Sequence, residues 1–168
     1  KRQPYLCHGL SENDQLELAY ELLLREEYPS WLYPVKSGAT TIWERWDGIR
    51  PNGTLQDPEM NSLNHYAYGA IGDWLYSVVA GIRVDEANPG YKHFYVEPRF
   101  NSSLHSAKAT LETRYGKIAS AWERQDDHVL HQVTVAPNTS ATVIWQGIDS
   151  ELIVESDQRL TNLDGLIK

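Results

Sequence analysis

The residue types that do chemistry are most concentrated between Ala39 and Gly48, where the chain reads Ala-Thr-Thr-Ile-Trp-Glu-Arg-Trp-Asp-Gly. Glu44 lies between Trp43 and Trp46, with Arg45 beside it and Asp47 three positions on. A carboxylate set among indoles has the ingredients of a sugar site: aromatic faces for the apolar side of a pyranose, and an acid or base for proton transfer. Glycosidases need two carboxylates flanking the scissile bond, and a general base must reach a water within hydrogen-bonding distance. Glu44 and Asp47 are the local candidates. The same residues also fit a plainer arrangement, an exposed Glu44–Arg45 ion pair on a loop pinned by two buried tryptophans.

Other chemically capable groups offer less. His128 and His131 are three apart in an expected strand, so they point to opposite faces and make a poor metal pair; they read as surface histidines. Cys7 and His8 are adjacent in an expected helix and diverge by about 100°, which keeps them from acting as nucleophile and base. A single cysteine allows neither an internal disulfide nor a two-cysteine metal site, and Cys7 reads as a buried or idle thiol. No metal or cofactor is expected. His65 on its own reads as a hydrogen-bonded packing residue. Asn52-Gly53-Thr54, Asn101-Ser102-Ser103 and Asn138-Thr139-Ser140 fit the short glycosylation pattern, which also arises often by chance.

The elements that must carry these residues change character along the chain. Leu16, Ala19, Tyr20 and Leu23 recur at helical spacing within residues 14–27, with Ser11 as a candidate cap and Asp14 three residues after it. A second stripe, from Leu63 through Tyr66, Ala67, Ala70, Ile71, Trp74, Leu75 and Val78 to Ile82, predicts a helix over residues 62–81. Between them, residues 29–61 form a long segment rich in proline, glycine and tryptophan, and loops of that length in compact domains are usually functional. After Gly90 the period falls to two. Strands are expected over residues 91–97, 107–113, 117–123, 129–136, 141–145 and 151–155, which suits an antiparallel sandwich or jelly roll.

With 41% hydrophobic residues in 168, the chain can bury a real core, in one domain or two small ones. Fifteen basic against 23 acidic residues give a net charge of −8, which phosphate backbones and anionic lipid would repel. Neither a nucleic acid nor a membrane is therefore an expected partner.

The string Gly38-Ala39-Thr40-Thr41-Ile42-Trp43-Glu44-Arg45-Trp46-Asp47-Gly48, followed by Ser62-Leu63-Asn64-His65-Tyr66-Ala67-Tyr68-Gly69-Ala70, closely resembles the α-L-rhamnosidases of glycoside hydrolase family 78. Tyr28-Pro29-Ser30-Trp31 before it, Gly90-Tyr91-Lys92-His93 after it, and Thr134-Val135-Ala136-Pro137-Asn138-Thr139 extend the resemblance over nearly the whole chain. What it implies is an α+β multidomain fragment: terminal helices of an (α/α)6 barrel over residues 1–88, then a jelly-roll-like antiparallel β-sandwich over residues 89–168. It further implies hydrolysis of terminal α-L-rhamnose with inversion, with Glu44 as general base, His65 in contact with the sugar, and Trp43 and Trp46 shaping the pocket.

In that family the general acid lies far upstream of the segment matched here, and only the last few helices of a barrel fit into residues 1–90. The chain is therefore expected to be a piece of a larger enzyme and inactive alone. Its expected partners are a rhamnose-containing glycoside or polysaccharide, and either the rest of the enzyme or a second copy met through the helical half. The alternatives are another inverting glycosidase on the same barrel, or a carbohydrate-binding or structural role for the β-sandwich, since fold and activity are not locked together.

Overall fold

The computed structural model describes residues 5–155 and 158–159. Its helical half opens with α1 (Leu6–Glu12) and α2 (Leu16–Leu24), followed by the short α3 (Leu32–Lys36). A last helical run begins with a 3-10 turn at Ala67–Ala70, continues as α4 (Ile71–Trp74) and ends in a π turn at Leu75–Val79. Ala19 and Tyr20 of α2 and Trp74 of α4 are fully buried with Cys7, and the Tyr20 and Trp74 rings meet edge to face at 5.2 Å. Ser11 is not a cap for α2. It lies inside α1, donating to the Cys7 carbonyl and accepting from the Trp74 indole, and so ties α1 to α4.

The helix expected from residue 62 begins five residues late. The backbone groups of Ser62, Leu63 and His65 are bonded to residues 41–44 instead, and a segment committed to those partners cannot also close helical turns. Tyr66, read from the sequence as part of the apolar stripe, consequently stands 86% exposed.

The second half is built from two three-stranded sheets. One orders β1 (Ile82–Val84), β2 (His93–Val96) and β6 (Ser140–Val143); the other is a meander of β3 (Ser106–Thr113), β4 (Gly116–Arg124) and β5 (Val129–Thr134). β7 (Val154–Glu155) and β8 (Gln158–Arg159) form a small ribbon. The strand β1, too short to announce itself in sequence, pairs antiparallel with β2, whereas β6 joins β2 in parallel. Ile82, Phe94 and Val96 of the first sheet pack on Ala109 and Ile118 of the second, which makes the pair of sheets a sandwich.

One face of β4 serves two layers. Ile118, Ser120 and Trp122 alternate onto the same side. Ile118 belongs to the sandwich core, and Trp122 to the core of the helical half. At this junction the π turn releases its last carbonyls to side chains and backbone of the β half. Val78 accepts from the Arg99 N–H at 2.9 Å, Val79 from the Trp122 indole at 2.7 Å, and Ala80 from the Ser120 hydroxyl at 2.6 Å. These bonds satisfy helix-end acceptors that would otherwise be buried bare. Gly81 makes the turn into β1 with φ of +84°, and a Cβ there would stand 2.2 Å from the Pro98 nitrogen, so only glycine fits.

His131 is part of this junction rather than a surface histidine. Its Nε2 lies 2.9 Å from the Ser120 oxygen, and its Nδ1 accepts from the Trp145 indole at 3.2 Å. Because Ser120 already donates to Ala80, the imidazole must donate through Nε2, which makes it the neutral tautomer. Burial pushes its pKa down to about 4. His128 lies outside β5, exposed, beside Asp127. No helix among the described residues is long and apolar enough to cross a membrane.

Candidate active site

Residues 41–48 have no regular secondary structure, and what shapes them is a partner segment far along the chain. The Thr41 hydroxyl donates to the Leu63 carbonyl. The His65 N–H donates to Ile42 at 2.7 Å, and the Glu44 N–H to Ser62 at 2.9 Å. The Ser62 N–H returns a bond to Glu44 Oε2 at 3.0 Å, so backbone and carboxylate of Glu44 are both held by one residue. Oε1 has no hydrogen-bond partner among the described residues, and Glu44 is only half-buried. The result is an oriented carboxylate with one oxygen available to a water or a ligand.

Arg45 does not pair with Glu44. Its guanidinium bonds Gln56 and lies 3.9 Å from Asp57, which anchors the turn of residues 50–57. The Asp57 carboxyl is held below the usual carboxylate range mainly by the Glu59 and Met60 N–H groups. The arrangement of an exposed Glu44–Arg45 pair is thus absent from this loop.

The tryptophans stand behind the carboxylate loop. Trp43 is 4% exposed and packs on Gly48, where a Cβ would come within 3.3 Å of the indole. Trp46 stacks on Tyr68 with ring centroids 3.7 Å apart, and meets Trp31 edge to face at 5.1 Å. The Trp31 indole in turn donates to the Tyr68 carbonyl at 3.0 Å. With Pro34, Val35 and Ile42 these rings line a partly open apolar pocket of about 30 Å³, room for about two waters and too small for a pyranose. Glu44 does not line it. His65 shares the pairing segment with Ser62, and its ring lies parallel to that of Tyr66 at 5.4 Å.

The sequence reading did not single out Ser62 as the residue that holds Glu44, nor Tyr68 and Trp31 as partners of Trp46. No local spacing marks them, because each acts across a long separation. Elsewhere, His93 bridges Asp85 at 2.9 Å and Thr142 at 3.0 Å, linking the turn after β1 to β2 and β6. The Asn88 side chain first, and His93 next, lower the Asp85 pKa. Cys7 is fully buried and its thiol pKa is raised by that burial, while His8 turns away to Asp73 at 2.8 Å. Among the described residues no group of three or more His, Cys, Asp or Glu side chains is arranged to hold a metal ion.

The described residues thus hold a helical segment, bearing an oriented carboxylate, that leads into a β-sandwich. Residues 3–79 match the bacterial alpha-L-rhamnosidase six-hairpin glycosidase domain, and residues 81–159 match the bacterial alpha-L-rhamnosidase C-terminal domain. The chain belongs to the α-L-rhamnosidase family. It is 43% identical over 159 residues to an alpha-L-rhamnosidase of Formosa agariphila, a match covering 95% of this chain and 17% of that protein. The crystal structure of a Streptomyces avermitilis alpha-L-rhamnosidase complexed with L-rhamnose superposes with a TM-score of 0.76 at 41% identity, over 83% of this chain and 13% of that one. The alpha-L-rhamnosidase from Dictyoglumus thermophilum superposes with a TM-score of 0.79 at 30% identity, over 96% and 18%. The chain therefore spans less than a fifth of the length of these relatives.

Proposed function

We propose that this chain is the part of an inverting α-L-rhamnosidase that carries the general base, Glu44, and that the enzyme releases terminal α-L-rhamnose from a glycoside or polysaccharide. In this reading a water approaches the free Oε1 of Glu44. Its oxygen attacks the anomeric carbon from the face opposite the leaving group, and its proton passes to the carboxylate. The departing oxygen takes a proton from a carboxylic acid supplied by a segment outside these residues. His65 hydrogen-bonds a sugar hydroxyl, and Trp43 and Trp46 shape the pocket by fixing the loop from behind. The two-domain division belongs to the same reading, the helical residues up to about 80 serving the barrel and those from β1 onward the sandwich, because β1 pairs with β2 ahead of the boundary expected at 88/89.

The observation that carries the proposal is the Ser62 clamp, which holds one oxygen of Glu44 and leaves the other open, with His65 three residues along the same segment. The relatives named above support the sugar, and the co-crystallised L-rhamnose of the Streptomyces enzyme supports a site able to bind it. The test is Glu44→Gln in the full-length enzyme, which keeps shape and removes the proton acceptor. Turnover of an aryl α-L-rhamnoside should fall by about two to four orders of magnitude with little change in binding. Proton NMR of the wild type should show β-L-rhamnose as the first product. Wild-type-like turnover in Glu44→Gln would refute the base, and an α first product would refute inversion.

A further inference from the structure

The clamp on Glu44 has a second half that the sequence does not mark. Residues 44–48 fold back through a tight turn, the Gly48 N–H donating to the Arg45 carbonyl at 3.1 Å. The near end of this turn is fixed by Ser62, through its carbonyl and its N–H. The far end is fixed by the residue just before it: Asn61 Nδ2 donates to the Gly48 carbonyl at 2.7 Å. That carbonyl also accepts the Gln56 N–H at 3.0 Å, which brings the 50–57 turn to the same point. Two consecutive residues, Asn61 and Ser62, thus close both ends of the loop that presents Glu44.

We propose that Asn61 is a positioning residue for Glu44, acting through the Gly48 carbonyl and not by touching the sugar; this rests on the reading of Glu44 as general base. Three features favour this role. The Asn61 Oδ1 atom is buried and has no hydrogen-bond partner among the described residues, so the side chain is held by its donor end alone. Gly48 cannot find another position cheaply, because its Cα is already packed between Leu63 and Trp43, with 3.2 and 3.3 Å to where a Cβ would stand. And the Ser62 N–H that holds the carboxylate belongs to the peptide that Asn61 itself begins, so a shift of Asn61 moves the donor and the loop together.

A general base must meet its water at hydrogen-bond distance, and a misplacement on the order of 1 Å costs about a hundredfold in rate. Removing the Asn61 donor loosens the loop without emptying the sugar pocket. In the full-length enzyme, Asn61→Asp keeps the shape and replaces the donor by an acceptor facing the Gly48 carbonyl, and Asn61→Ala removes the group altogether. Both should lower kcat about 10- to 100-fold while the inhibition constant of free L-rhamnose stays within about twofold of wild type. A merely structural residue would not separate the two, since misfolding removes binding and turnover together. Unchanged kcat in both variants, or parallel loss of kcat and of rhamnose inhibition, overturns the proposal. Glu44→Gln run beside them distinguishes the failures. If it is inactive while the Asn61 variants turn over normally, only the positioning role falls; if it is active, the general-base reading falls with it.

Discussion

The junction between helices and sandwich gives a stability prediction that does not depend on any assay of function. Ser120 is fully buried, donates to the Ala80 carbonyl at 2.6 Å and accepts from His131 Nε2 at 2.9 Å, so Ser120→Ala removes one oxygen and leaves two groups without a partner. The lost volume is small, and the cavity contributes little. Each orphaned buried group costs about 1–3 kcal/mol, and since the two share one site their costs do not simply add, which puts the expected loss at about 2–4 kcal/mol. Urea titration of the chain at pH 7, followed by tryptophan fluorescence at one protein concentration for every variant, measures it through the shift in midpoint at constant slope. An exposed control, Ser106→Ala, should stay within about 0.5 kcal/mol of wild type. A Ser120→Ala shift as small as the control's would refute the argument, because it would mean that the helix-end carbonyl and the imidazole find water as readily as they find Ser120.

Three further outcomes are expected. His131 is neutral in the folded chain with its pKa pushed down to about 4, against an ordinary 6.5, so the unfolded state binds the proton first and stability falls as pH drops from about 6.5 towards 4. After discounting for its partial exposure this amounts to about 1–2 kcal/mol, read as the difference in acid sensitivity between wild type and His131→Gln, and equal sensitivity would contradict it. For the full-length enzyme, His65→Ala should weaken transition-state binding by roughly 1–3 kcal/mol and relieve product inhibition by rhamnose; unchanged kinetics would leave His65 a packing residue. The 168-residue chain alone should show no turnover of an aryl rhamnoside and should self-associate in sedimentation, since Tyr5, Val35, Met60 and Tyr66 of its helical half are well exposed and apolar area associates at about 25 cal/mol per Å². A monomer, or turnover abolished by Glu44→Gln, would contradict the respective halves.

Where sequence pattern predicted structure well, one local period was enough. Leu16, Ala19, Tyr20 and Leu23 face a core because helical spacing puts them there, and the meander β3–β4–β5 follows from alternation broken by the turns at Tyr115-Gly116 and Gln125 to Asp127. Burial was less legible than period. Alternation separated His128 from His131, but it could not say that the His131 face is covered, because the cover is Trp145, from beyond the next strand, together with Ser120 on the neighbouring one. The parallel pairing of β2 with β6 is a contact between strands more than forty residues apart, and nothing in either strand announces it.

The most informative departure is the stretch from Ser62 to Tyr66. By apolar spacing it should have been the first turns of the last helix, and Leu63 and Tyr66 fall on the stripe that Ile71 and Trp74 continue. It is not helical because its amides and carbonyls are engaged with Thr41, Ile42 and Glu44. A helix would satisfy the same backbone groups locally, so exchanging it for a distant partner yields little net hydrogen-bond energy and forgoes the favourable packing of Tyr66. What the exchange does provide is an orientation: it sets Glu44 against a backbone N–H and puts His65 beside the same loop. Local pattern and tertiary structure disagree most where a chain is held for chemistry, and here the disagreement coincides with the residues proposed as base, base-holder and sugar contact.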